Sequence, residues 1–356
     1  MNNYNIDSIS DERKGLLSST ITFLKFPLAV LVVILHADLI TKPIERVGLS
    51  NMEFTEPLYT NISWFLSRYI AYAAVPSFFI ISGFLLLYNV KDYDKTVYLS
   101  KLYKRVKSLL VPYTLWCLIY LLIYWLIGQE NILFLEAPNL FNGELSPIQL
   151  LVNIFIKPLD GPLWFIRNLF IMVVLSPVFY AVIRRTNYLV PFLFLVLTQV
   201  VHSPIVESVL WFTFGMSFAI HRFDFLYFCR KWMIVSIPIT LGVFLLDAIM
   251  QPEHHFYGHF SIFKIMSVLG IGYWCMQKHQ SWADNKIINN ASFTIYAYHG
   301  LMVLFFPPLL LKVLNGVLGG VILTYFITIL IVVVIGVLLS IIINKNKVIR
   351  TLLCGR

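Results

Sequence analysis

The sequence is poor in charge. Only 13% of its 356 residues are Asp, Glu, Lys or Arg, whereas 59% are hydrophobic. A soluble domain of this length has no core large enough to hide so much apolar surface, so a soluble globular fold is excluded. Cysteine is also scarce. Cys117, Cys229, Cys275 and Cys354 are the only four, and no two stand at metal-ligand or redox spacing. Disulfides and a thiolate metal centre are therefore not expected. There is no linker, low-complexity tract or fixed-period repeat. The first apolar run lacks a small-residue cleavage site and reads as a retained helix rather than a signal peptide.

What the sequence does contain is long apolar runs, with a mean hydropathy of +0.79. Spans are predicted at 17–40, 62–89, 109–127, 162–183, 188–202, 206–221, 232–250, 262–277, 290–311 and 320–343. A bilayer accepts apolar side chains all round a helix, and about 20 such residues cross it. The expected fold is all-α: a polytopic membrane bundle of about ten transmembrane helices. Aromatic residues at 16% suit a chain that crosses two interfaces repeatedly. The last hairpin of the middle region, 188–202 with 206–221, is expected to turn at Ser203-Pro204. The longest outer segment is 128–160.

Basic residues outnumber acidic ones 27 to 18, for a net charge of +9. Their placement argues against nucleic acid. With the N-terminus inside, 19 of the 27 fall in cytoplasmic segments and only Lys42, Arg46, Lys157 and Lys312 in outer loops. That asymmetry predicts both termini in the cytoplasm. The organisation is then a cytoplasmic tail over 1–16, one membrane domain over 17–343 and a cytoplasmic tail over 344–356.

Ionisable side chains at membrane depth are costly and call for a reason. His36, Asp38, Arg68, Arg167, Glu207, Asp247 and Lys264 fall in the outer parts of their spans, Lys25 in the inner half of the first, and His299 near the middle of the ninth. This distribution suggests a polar cavity opening outward and connected inward along the first helix. Asp247 and Lys264 read first as interfacial side chains that snorkel. Asp38 and Arg68 are either an ion pair between the first two helices or substrate contacts. Lys25 and His36, eleven residues apart, return to within about 20° of one face and stand about 16 Å apart along the axis. Pro27 lies between them. A cation inside and an imidazole outside suit a long ligand held between them; a histidine that only satisfies a hydrogen bond is the plainer reading. His254, His255 and His259 match a metal cluster only superficially, and no metal is expected.

Five segments together resemble the acyltransferase family 3 membrane proteins. They are Lys25-x10-His36; Val75-Pro76-Ser77-Phe78-Phe79-Ile80-Ile81-Ser82-Gly83-Phe84; the basic stretch Tyr103 to Tyr113; Gly161-Pro162-Leu163-Trp164-Phe165-Ile166; and Ser292-Phe293-Thr294-Ile295-Tyr296-Ala297-Tyr298-His299. Lysine stands at position 25 where the family more often has arginine, keeping the charge and losing the planar fork. No second domain is fused within these residues.

The resemblance implies an enzyme that O-acylates a cell-surface or lipid-linked glycan at the cell membrane. The co-substrate it implies is cytoplasmic acyl-coenzyme A, with acetyl the expected acyl group and no tightly bound cofactor. A hydroxyl is a poor nucleophile at neutral pH and needs a base, for which the resemblance points to His36. Lys25, Lys104, Arg105 and Lys107 are candidate contacts for the donor's phosphates. The basic loop alternatively serves only topology or anionic lipid. Asp38, Arg68, Trp164, Arg167 and Glu207 are acceptor-side candidates, Trp164 being equally suited to an interfacial anchor. His299 reads as structural. A transporter or flippase, and a non-catalytic accessory protein of polysaccharide export, remain rival classes.

Overall fold

The computed structural model describes residues 4–39, 57–130, 152–156, 161–250, 261–314 and 317–356. The outer segment 128–160 and the histidines of the 251–260 stretch therefore lie largely or wholly outside the described residues. The described residues are mostly helical and form no strand, and an isolated β-bridge joins Asn5 to Phe223.

Helix α1 is Asp11–Ala37, with Asp11 and Glu12 in its first turn, where acidic groups complement the helix dipole. The second span is built from α2 (Pro57–Ser63), a π-helical turn Trp64–Ile70, a 3-10 turn Ala71–Ala73 and α3 (Ala74–Leu87). The third comprises α4 (Lys95–Arg105), a second π-helical turn Val106–Leu110 and α5 (Val111–Glu130). Then come α6 (Trp164–Thr186), α7 (Leu189–Leu197), α8 (Pro204–Ile220), α9 (Phe225–Met250), α10 (Ser261–Lys278), α11 (Lys286–Val313), α12 (Gly320–Asn344) and a short α13 (Lys347–Cys354).

Every expected span coincides with a described helix, but they are not equal. Seven are long and apolar enough to cross a membrane: Asp11–Ala37, Leu58–Leu87, Lys95–Leu126, Trp164–Thr186, Phe225–Ile249, Lys286–Val313 and Gly320–Asn344. The α8 helix is shorter, and the 18-residue α10 carries Lys264 and Lys278. The nine residues of α7 rise only about 14 Å, roughly half the hydrocarbon thickness. The predicted 188–202 span is thus a half-length helix. Its first turn follows Asn187, held in the left-handed region at φ 54°, and its last gives way to turn residues before Pro204 starts α8.

The chain divides into two compact units. The first contains Met1–Val32, Arg68–Arg105 and Asn168–Asn289. Within it α3 and α8 cross with their backbones in contact. A Cβ on Gly83 would strike the Phe212 carbonyl oxygen, and one on Gly215 the Ile80 carbonyl oxygen. Small residues allow this approach in lipid, where packing rather than water drives helix association. Gly270 similarly lets α10 meet the Cys229 carbonyl of α9, and Ser267 bonds Ser236 across the same pair at 3.0 Å.

Lys264 and Asp247 do not snorkel. They are 1% and 5% exposed, inside the first unit. The Lys264 ammonium lies 4.0 Å from the centroid of the Tyr69 ring, and the Asp247 carboxylate is within electrostatic reach of the same ammonium. Cation–π and charge attraction together hold a lysine that the surrounding helices keep from the interface.

The second unit contains Val33–Ser67, Val106–Arg167 and Asn290–Arg356. Its α13 has apolar Val348, Ile349 and Leu352 exposed and Cys354 buried. Trp116 donates to the Leu353 carbonyl at 3.0 Å, tying this amphipathic helix to α5.

Candidate active site

His36 lies in the last turn of α1, in the second unit, and is half-buried. Asp38 follows directly and is 2% exposed. The Tyr59 hydroxyl donates to the Asp38 carboxylate at 3.0 Å and accepts the Leu39 N–H at 2.8 Å. The Ser67 hydroxyl donates to the Ile34 carbonyl at 2.7 Å and pairs with the Tyr325 hydroxyl at 2.8 Å. Tyr59 and Tyr325 pack edge to face, 5.9 Å between centroids. Hydroxyl groups thus hold the Ile34 carbonyl and the Asp38 carboxylate, which flank His36 in the chain on either side. The bond from Tyr59 ties Asp38, just past the end of α1, to α2.

The second imidazole is His299 of α11, with no exposure at all. Its ring centroid is 5.2 Å from that of His36, with the planes inclined at 38°. Nδ1 of His299 is 2.6 Å from the Tyr296 carbonyl oxygen. A carbonyl only accepts, so Nδ1 carries the proton and Nε2 the lone pair in the neutral ring. The helix around His299 is itself held. The Tyr120 hydroxyl donates to the Ala297 carbonyl at 3.1 Å and accepts from the Leu301 N–H at 3.3 Å, bridging a pair that an α-helix joins directly. Tyr298 donates to the Val332 carbonyl of α12, where Gly336 leaves room for the Tyr298 ring.

Two of the sequence segments meet here. The Tyr296 hydroxyl donates to the Pro162 carbonyl, and its ring packs edge to face on Phe165 at 5.5 Å. Trp164 and Arg167 occupy the first turn of α6 just beyond, both half-buried. Arg167 is in electrostatic reach of Tyr113, whose hydroxyl donates to Ile154 O.

The remaining candidates distribute between the units. Lys107 is exposed in the π-helical turn of the second. Lys25, half-buried in the middle of α1, belongs to the first, with Arg68, exposed Lys104, half-buried Arg105 and Glu207. Among the described residues no group of His, Cys, Asp and Glu has the arrangement of a metal site. What the sequence reading missed is the tyrosine scaffold of Tyr59, Tyr120, Tyr296 and Tyr325, and the pairing of the two histidines. The signal available was the motif Tyr296-Ala297-Tyr298-His299 itself, which sets two hydroxyls beside an imidazole.

Comparison with known sequences matches residues 19–345 to the family described as "Acyltransferase domain". A curated relative, the succinoglycan biosynthesis protein ExoH of Rhizobium meliloti (strain 1021), is 27% identical over 134 residues. That stretch covers 36% of this chain and 35% of the relative, so about a third of each is matched. No solved structure matches.

Proposed function

Since the chain belongs to the acyltransferase family matched over residues 19–345, and is a multi-pass membrane protein, we propose that it moves an acyl group from cytoplasmic acyl-coenzyme A to a hydroxyl of an extracytoplasmic glycan, with His36 as general base. The single observation that carries this reading is the half-buried imidazole of His36 beside the buried imidazole of His299. The relative's printed role in succinoglycan biosynthesis supports a polysaccharide acceptor, and acetyl is the proposed acyl group. The cell (inner or plasma) membrane is the proposed location, with both termini inside.

The chemistry follows from the residue types. The neutral His36 imidazole takes the proton of the acceptor hydroxyl as its oxygen attacks the thioester carbonyl carbon. The tetrahedral intermediate collapses with cleavage of the C–S bond. The imidazolium returns its proton to the departing thiolate, leaving an ester and free coenzyme A. The His299 ring, packed 5.2 Å from that of His36, is proposed to hold it in one orientation while His36 takes the proton. Lys25, Lys104, Arg105 and Lys107 are proposed to meet the donor's phosphates on the inner side; Lys25→Ala is expected to weaken donor use and Lys25→Arg to retain much of it. Asp38, Arg68, Trp164, Arg167 and Glu207 are proposed on the acceptor side.

The test is acyl transfer by cells carrying His36→Ala or His36→Gln, with membrane abundance checked by immunoblot. Both variants are expected to lose transfer by about 10²–10⁴-fold at normal abundance, the usual contribution of a general base. Full acylation by well-expressed His36→Ala overturns the mechanism and favours a transporter or an accessory protein of polysaccharide export.

A further inference from the structure

The first unit has a cavity unconnected with any residue assigned above. It measures about 610 Å³ and is lined by Asp7, Tyr88, Lys91, Tyr180, Arg184 and Arg222, with Leu87, Asn89, Val90, Ala219 and Ile220 completing the wall. That volume falls within the about 300–1,000 Å³ of small-molecule sites. Its walls come from four separate stretches: the N-terminal segment, the turn after α3, the end of α6 and the turn after α8. The basic-residue asymmetry assigns each of these to the cytoplasm.

The charge balance of the cavity is positive. Asp7 is the one carboxylate among the lining residues, and Arg222 engages it through Nε at 2.9 Å and an Nη at 2.7 Å. The same guanidinium also donates to the Tyr88 carbonyl. Lys91 and Arg184 are exposed, and no carboxylate among the described residues pairs with either. Two uncompensated cations therefore converge on one hollow whose sole acid is already engaged.

A second observation points the same way. Arg222 has φ 52°, the left-handed region that glycine adopts freely. It ends α8 with the Phe223 N–H bonded to the Phe218 carbonyl at 2.8 Å, the helix-capping turn in which glycine is the usual residue. A non-glycine residue there is strained, because its Cβ crowds the neighbouring carbonyl oxygen. The arginine side chain, which closes one wall of the cavity, compensates that strain through its bonds to Asp7 and Tyr88.

We propose that this cavity is a binding site for a phosphate-bearing ligand on the inner face of the membrane. Lys91 and Arg184 supply the charge-assisted hydrogen bonds, and the Tyr88 and Tyr180 rings supply flat walls. The chemistry recognised is phosphate. A soluble nucleotide presents it from the cytoplasm, and an anionic phospholipid presents it from the inner leaflet. The proposal stands on the cavity's own charges and does not depend on the acyl-transfer reading.

The test uses the full chain in phosphatidylcholine nanodiscs. Binding of adenosine 3′,5′-bisphosphate is titrated, and retention of added phosphatidylglycerol is followed by native mass spectrometry. Wild type is compared with the Lys91→Ala, Arg184→Ala double variant and with Lys345→Ala, whose cation lies outside the cavity. Expected is a loss of at least tenfold in the double variant and none in Lys345→Ala. Loss for the bisphosphate assigns the soluble source, and loss for phosphatidylglycerol alone assigns the lipid. Equal binding of both probes by wild type and double variant, or no binding by wild type, overturns the site. Helix content and thermal midpoint verify folding; should the double variant fail to fold, Lys91→Gln alone carries the same comparison.

Discussion

The His299 imidazole sits 5.2 Å, centroid to centroid, from that of His36, and the Tyr296 carbonyl fixes the proton of His299 on Nδ1. A base needs an orienting partner on its second nitrogen. Such a partner is usually a carboxylate; the ring packed beside His36 here is another imidazole.

His299 is therefore expected to position His36. Partners that fix a histidine's orientation contribute about 10–100-fold where the histidine ligates a metal, and His299→Ala is expected to lower kcat by a similar factor. KM for the donor is expected to stay near wild type. His299→Asn, which retains a hydrogen-bonding side chain, is expected to keep part of the rate. An unchanged kcat in both well-folded variants would return His299 to a purely structural role.

Orientation is checked by cysteine-accessibility labelling. Positions near Lys104 and Lys345 are expected to react only from the cytoplasm, and positions near Asn142 and His255 only from outside. An externally labelled Lys104 loop would invert the topology, and both the donor side and the phosphate cavity would move with it.

The Lys264 ammonium over Tyr69 predicts a large asymmetry between single and double changes. Asp247→Leu leaves a buried cation without its carboxylate and is expected to lose about 3–5 kcal/mol. Lys264→Met strands the carboxylate with a comparable loss. The double variant is expected to recover most of it, because apolar side chains of similar size replace the pair without leaving a charge. Thermal midpoints in detergent read the series, and simple additivity would mean that the two groups do not interact.

The N-terminal turn Ile6–Ser8 is expected to loosen in acid. The Arg222 hydrogen bond holds the Asp7 carboxyl below its usual value of 3.8. A lowered folded pKa adds stability above 3.8 and loses it as pH falls through the folded value. Burial pushes the Asp224 carboxyl upward, the opposite sign, even though Arg13 pairs with it at 2.8 Å. Hydrogen–deuterium exchange of Ile6–Ser8 below about pH 4 isolates the Asp7 contribution. Wild type is expected to lose protection there. Arg222→Gly, which relieves the left-handed strain and removes the tether, exchanges quickly throughout, and identical profiles would show the tether to be inert.

Membrane insertion, the order of helices and the positions of His36, His299 and Lys25 along them were legible in the sequence. The free energy of moving a segment into lipid is close to a sum over its own residues, and helical periodicity is local. Tertiary structure decided what such a sum does not contain. It shortened the 188–202 span to Leu189–Leu197, because a left-handed residue and the turn before Pro204 delimit that helix whatever its hydropathy. It buried Lys264 rather than letting it snorkel, because the helices packed round it supply a ring and a carboxylate that hydropathy cannot register. It set His299 beside His36 and gathered Asp7, Lys91, Arg184 and Arg222 around one cavity. Each of these pairings joins residues far apart in the chain, and the close packing of helices, backbone to backbone at Gly83 and Gly215 and backbone to side chain at Gly336, selects which distant side chains become neighbours.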